Sequence, residues 1–216
     1  MNQIFSLEGP IFKLLNKFCD MLFVSLLWLA FSLPVITIGA SSCALYHTTH
    51  KVICQNEGYV FSTFWKSFRV NLKQGIFLTL LCIPAAVFGV VCYLFANSLP
   101  KGNLLAYFYF AIAILDLLLL FIIATYAFPV LSRFYMTTKD VLKNSVALAV
   151  TRPGFTLLLI IIFFICAVAF FLIPVSGFLL PACFAASSER LLEPAFKKAL
   201  DAKATAEKET SADAET

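Results

Sequence analysis

One carboxylate, Asp116, falls near the centre of a long apolar stretch covering 104–131. A charge at that depth costs roughly 3 kcal/mol on insertion scales, so such a residue pairs, faces a cavity, or carries protons or ions. The alternative is a protonated acid bonded to a Ser, a Thr or a backbone carbonyl of another helix. His47 and His50 lie three apart beside Tyr46 at the end of an earlier apolar stretch. A metal ion there needs one or two further ligands. No acidic cluster stands nearby to supply them, so interfacial histidines are expected and no metal site. Glu189 and Arg190 read as a local pair where the last apolar stretch ends. The chain lacks a nucleophile elbow, a phosphate-cradling glycine loop and paired carboxylates in its apolar stretches. No catalytic residue and no cofactor is therefore expected, and the chain does not read as an enzyme.

The elements that must position these residues are set by composition. The 216 residues are 61% hydrophobic and 13% charged, whereas soluble domains carry about a quarter charged residues. A soluble domain of this size has no interior for so many Phe, Leu and Ile side chains. The fold class is an all-α membrane protein. Seven cysteines form no Cys-x-x-Cys and no metal-ligand spacing. Four of them (Cys82, Cys92, Cys166 and Cys183) lie in apolar runs, where Cys is a small hydrophobe.

About five transmembrane helices are predicted, at 21–46, 75–97, 104–131, 154–173 and 174–188. The first is interrupted by Pro34, which deletes one backbone hydrogen bond and kinks a helix. Gly39 lets another backbone approach closely. Pro84 falls inside the second span, Pro129 near the end of the third, and Pro174 opens a last segment of only about fifteen apolar or small residues. These prolines and Gly39 are expected to shape kinks and helix packing. The first twenty residues read as a short amphipathic segment lying on the membrane.

Two cytoplasmic interfacial amphipathic helices are expected between the spans. Phe61, Phe64, Trp65, Phe68 and Leu72 recur at helical spacing between 57 and 75, while Lys66, Arg69 and Lys73 form a basic stripe. The rings would be buried and the cations placed among lipid phosphates; the plainer alternative is a solvated charged face covering the protein's own spans. A second such helix is predicted over 137–152.

Basic residues fall on alternate connections. Lys51, Lys66, Arg69 and Lys73 precede one span and Arg133, Lys139, Lys143 and Arg152 another, whereas the 97–104 turn has only Lys101. Because cytoplasmic loops retain Lys and Arg, this places the N-terminus outside and the C-terminus in the cytoplasm, with Lys13 and Lys17 left on the outer side. Cleavage after Ala40 would put the first basic loop outside, so the first apolar segment is read as retained. A loose parallel repeat relates 59–133 to 138–190. The tail 197–216 is too polar to fold alone and is expected to be disordered, leaving 1–196 as a single membrane domain.

The stretch Trp28-Leu29-Ala30-Phe31-Ser32-Leu33-Pro34-Val35-Ile36-Thr37-Ile38-Gly39-Ala40-Ser41 resembles the bacterial YesL family of small membrane proteins. The resemblance continues through Ala44-Leu45-Tyr46, Glu57-Gly58-Tyr59, Phe64-Trp65-Lys66-Ser67-Phe68 and Asn71-Leu72-Lys73-Gln74. The 47–50 histidine stretch departs from the family pattern. The family has no established activity. Its members are often encoded beside carbohydrate uptake systems and sensor kinases, especially in Gram-positive bacteria. The resemblance therefore implies a plasma-membrane accessory in sugar acquisition, an association and not a mechanism.

Two functions follow as expectations. The first is an accessory or interaction protein linked to carbohydrate uptake or sensing, contacting an ABC-type sugar importer or a sensor kinase. The second is a small secondary transporter or channel, acting as a homo-oligomer, with Asp116 in the translocation path. The expected partners are the lipid bilayer, those proteins or a second copy, and no nucleic acid, because no basic face interleaves with aromatic platforms.

Overall fold

In the computed structural model, residues 10–100, 102–133, 136–151 and 153–194 are described. The predicted tail 197–216 lies outside them. Helix α1 runs Pro10–Ser32, opened by a proline whose fixed φ suits a first helical turn. Helix α2 runs Ile38–Thr48 and widens into a π-helical turn over Thr49–Cys54. Helix α3 is a single element of 39 residues, Val60–Ser98. Helix α4, Leu104–Ile122, continues through a π turn, Ile123–Ala127, into α5, Phe128–Arg133. Helices α6 (Thr138–Thr151) and α7 (Pro153–Leu172) follow, and α8 covers residues 180–194. The architecture is that of an all-α membrane protein.

Among the described residues, four helical stretches are long and apolar enough to cross a bilayer: Leu15–Ser32, Val60–Ser98, Leu104–Arg133 and Pro153–Leu172. The predicted span 21–46 is not one kinked helix. Pro34 takes an extended conformation (ψ 111°), a short 3-10 turn follows at Val35–Thr37, and the chain reverses. Trp28 Nε1 then donates to Ser42 Oγ at 3.1 Å, the hydroxyls of Ser32 and Ser41 meet at 2.6 Å, and Lys17 comes near Cys54. These pairs make α1 and α2 an antiparallel hairpin. The surface segment expected over the first twenty residues is, from Pro10 onward, the start of α1.

Pro174 has the same effect at the other end of the chain. A 3-10 turn over Pro174–Phe178 separates α7 from α8, and the rings of Phe163 and Phe184 lie 6.1 Å apart across the second hairpin. The predicted span 174–188 is thus a turn followed by a helix that continues past it. Ser25 Oγ of α1 accepts from the Ala182 backbone N–H of α8 at 3.1 Å, tying the two hairpins together.

In α2 the small residues from Gly39 to Ala44 are all buried. Its closest approach is to α3. A side chain at Gly75 would place its Cβ 2.5 Å from the Ala40 nitrogen, and one at Gly39 would strike the Gly75 carbonyl. Gly39 N–H donates to Thr79 Oγ1 at 2.9 Å, and that hydroxyl donates to the Gly75 carbonyl. Small residues let two backbones pack this closely where lipid offers no hydrophobic drive between helices.

The expected interfacial helix over 57–75 is instead the first half of α3, continuous with the span. Phe64 and Phe68 are buried against Ala40 and Ala44, with the Phe31 ring tilted against both. Phe64 and Phe68 of the aromatic stripe therefore cover the protein's own α2, while Phe61 remains exposed. At 1.5 Å per residue α3 measures about 58 Å, nearly twice the roughly 30 Å hydrocarbon core, so its basic first turns need not enter the core. Helix α6 buries Val141, Ser145 and Ala149 and lies mainly against the π turn at Ile123–Ala127.

Candidate functional site

The polar residues of the chain converge where α2, α5 and α8 meet. Glu189 of α8 is 1% exposed and forms an ion pair with Arg133, the last residue of α5. The same Arg133 Nη2 donates to His50 Nδ1 at 2.6 Å, and that nitrogen lies 3.5 Å from the Glu189 carboxylate. An imidazole accepting at Nδ1 is neutral with its proton on Nε2, and the Gln55 side-chain amide, 3.0 Å from Nε2, then accepts that proton through its oxygen. The hydroxyls of Tyr46 and Ser188 close the cluster on its inner side.

Charge and burial oppose each other here. Glu189 Oε1 is buried with no hydrogen-bond partner among the described residues. Removal from water pushes the Glu189 carboxyl up to about 7, although the Arg133 guanidinium pulls the other way. His50 is held below the usual imidazole range, by burial first and by Arg133 second. His47 is lowered as well, by burial and then by Lys51, Arg133 and Lys66, while the Ser132 backbone opposes the shift.

Those three cations surround a cavity of about 500 Å³ bounded by the end of α2, the start of α3 and α5. His47, Ser62, Thr63 and Ser67 also line it. Gly58 stands at its edge with φ of +82°, a conformation that favours glycine.

The other predicted residues are dispersed. Asp116 belongs to α4 and rests against Gly89 of α3, whose missing side chain makes the space for the carboxylate. The surrounding cleft, about 400 Å³, is otherwise lined by residues such as Ala86, Val90, Ala113 and Leu117. Lys66, Arg69 and Lys73 occupy the exposed face of α3, and the Arg69 guanidinium lies 4.7 Å from the Trp65 ring centroid. Pro84 is accommodated within the unbroken α3. Pro129 is the second residue of α5, just after the π turn at Ile123–Ala127, a widening that adjusts the hydrogen bonding around the missing N–H. Pro34 and Pro174 start the two hairpin turns.

Sequence reasoning missed the buried cluster. It paired Glu189 with Arg190, yet Arg190 is exposed and Glu189 reaches Arg133, 56 positions away. The one available signal was an acid directly after the small-residue run Ala185-Ala186-Ser187-Ser188, a composition that permits burial. His50 joins this cluster through Arg133, and His47 lines the adjoining cavity; both are half-buried. The structure also gathers the basic residues at one end: Lys17 and Arg190 both stand near Cys54. The described start of α1 and end of α8 therefore lie toward the same end of the bundle.

Residues 21–99, from within α1 to just beyond α3, match the family model described as "Protein of unknown function, DUF624". Over 153 residues the chain is 28% identical to the "Uncharacterized protein YesL" of Bacillus subtilis (strain 168), a similarity covering 67% of this chain and 71% of that protein. No solved structure matches. The matched segment contains the Pro34 reversal, the Gly39–Gly75 contact and the aromatic face of α3, and both similarities agree with the resemblance to the YesL family.

Proposed function

We propose that the protein is an integral-membrane interaction protein, accessory to an ABC-type sugar importer or a sensor kinase, which it contacts through the α3–α4 hairpin. One observation carries this reading. Beyond Thr79, α3 buries only Cys92, and α4 buries none of its residues, so both helices present broad apolar faces outward. The Asp116 cleft opens on that hairpin, away from the buried Glu189 cluster. A carboxylate beside a lateral apolar cleft suits a polar contact from a neighbouring helix better than a step on a path through the bundle. The carbohydrate link rests on the family resemblance alone. Retention of Lys and Arg in the cytoplasm favours a plasma-membrane orientation with the Lys17, Lys51 and Arg190 end inside.

Photocrosslinking tests the proposal. Reactive residues at Leu115 and Leu117, which are 66% and 68% exposed, should capture an importer subunit or a sensor kinase in native membranes. Asp116→Asn should weaken that capture while leaving the protein inserted. Crosslinks to lipid or to a second copy alone would remove the accessory reading. A substrate flux in proteoliposomes that Asp116→Asn abolishes would replace it with transport.

A further inference from the structure

We infer that the cavity at the start of α3 is a binding site for a phosphate-type anion, carried either by a soluble phosphate or by a phospholipid headgroup. The observation is the lining. Lys51 of the π turn after α2, Lys66 of α3 and Arg133 of α5 converge on one space of about 500 Å³, and none of its lining residues is acidic. Three cations from three helices repel one another, and that arrangement costs free energy unless an anion or water screens it.

Glu189 compensates only Arg133, and from outside the cavity. Neither Lys51 nor Lys66 has an ion-pair partner among the described residues. Their convergence shows independently at His47, whose protonated form is disfavoured by both lysines and by Arg133 in addition to burial.

The rest of the wall suits phosphate oxygens. Ser62 and Thr63 supply hydroxyl donors on the first turn of α3, and the positive end of that helix adds its unpaired N–H groups. Tyr59, at the helix N-cap, makes no side-chain cap hydrogen bond, so it does not occupy those donors. Gly58 lines the mouth, where a β-carbon would come 3.2 Å from Thr63 Oγ1. A guanidinium, two ammonium groups and hydroxyl donors form a charge-assisted set for an anion with several oxygens. The site is separate from the α3–α4 hairpin and does not depend on the accessory reading.

The test uses full-length protein in nanodiscs of phosphatidylcholine alone, titrated with inorganic phosphate while chloride holds the ionic strength constant. Calorimetry should show saturable phosphate binding. Lys51→Gln and Lys66→Gln should each weaken it by about tenfold or more. Arg69→Gln and Lys73→Gln remove the same charge from the same helix outside the cavity, and should leave affinity within about twofold. A parallel arm uses nanodiscs containing phosphatidylglycerol. Lipid retained through purification, and lost in Lys66→Gln but not in Lys73→Gln, identifies the headgroup as the source, even if free phosphate does not bind. Absence of both, or equal losses in cavity and stripe variants, overturns the site.

Discussion

Replacing Arg133 with Met tests the buried cluster most directly. Two effects separate by pH. The first is loss of the guanidinium's bonds to Glu189 and to His50 Nδ1, which costs about 1–3 kcal/mol at any pH. The second is linkage. The Glu189 carboxyl has an ordinary value of 4.5 and is pushed up to about 7 in the folded protein. Between these values the folded state holds the extra proton, so stability falls by about 1.4 kcal/mol per pH unit as pH rises, and the fall ends above pH 7. Without Arg133 the folded carboxyl is pushed higher still, and the decline continues. From pH 7 to about 8.5 the variant should lose about 2 kcal/mol more than the parent, or roughly 4–8 °C in apparent Tm for a chain of this size. In the parent, His47 and His50 are lowered chiefly by burial; Arg133→Met removes a further cause of that lowering, and the Glu189→Gln background separates any histidine contribution from that of the carboxyl. The assay is thermal unfolding in detergent across that range for the parent, Arg133→Met, and Arg133→Met with Glu189→Gln. The double variant should regain the flat profile. Parallel profiles for the parent and Arg133→Met, or a slope that survives Glu189→Gln, would refute the assignment of a buried, guanidinium-held carboxyl.

The remaining predictions concern the fold. Gly75→Ala places a Cβ 2.5 Å from the Ala40 nitrogen, so α2 and α3 must part; a loss of about 1–3 kcal/mol is expected in thermal unfolding, and an unchanged Tm would contradict the close approach. Ser25→Ala leaves the buried Ala182 N–H without its 3.1 Å acceptor and should cost about 1–3 kcal/mol, whereas Ser25→Thr, which keeps the hydroxyl, should cost less. Cysteines introduced at Lys17 and Lys51 should react with an impermeant maleimide from one side of the membrane, and one at Asn103 from the other. Opposite labelling of Lys17→Cys and Lys51→Cys would dismantle the α1–α2 hairpin.

Much of this molecule was legible in its sequence, and the reasons are local. Apolar runs of bilayer length, bounded by turn residues, identify most of the long helices, because in lipid every backbone group must be satisfied within the helix. The amphipathic period of 57–75 also specified a buried face. Periodicity says which residues are covered, but not by what, and here the cover is Ala40 and Ala44 of α2. Pro34 showed the same ambiguity. Its missing N–H weakens a helix whether the chain kinks or reverses, and only the hydrogen bonds from Trp28 to Ser42 and between Ser32 and Ser41 decide for reversal.

Charge at the ends of apolar runs was the least readable signal. Lys and Arg obey a sidedness rule that acts on whole loops, and so the grouping of basic residues could be anticipated. Once Pro34 is a reversal, Lys17 joins the other cations at one end and no longer conflicts with them. Pairing is a different matter, because an ion pair depends on distances between helices that no linear spacing encodes. Asp116 stood out in the sequence because its neighbours are apolar, and it rests in a lateral cleft against Gly89. Glu189 looked ordinary beside Arg190, yet it is the carboxyl enclosed by the fold. The sequence by itself determined an all-helical membrane protein with a basic end. The tertiary structure alone decided that Arg133, His50 and Glu189 share one buried site, because only packing α2, α5 and α8 together removes their water and brings them within bonding distance.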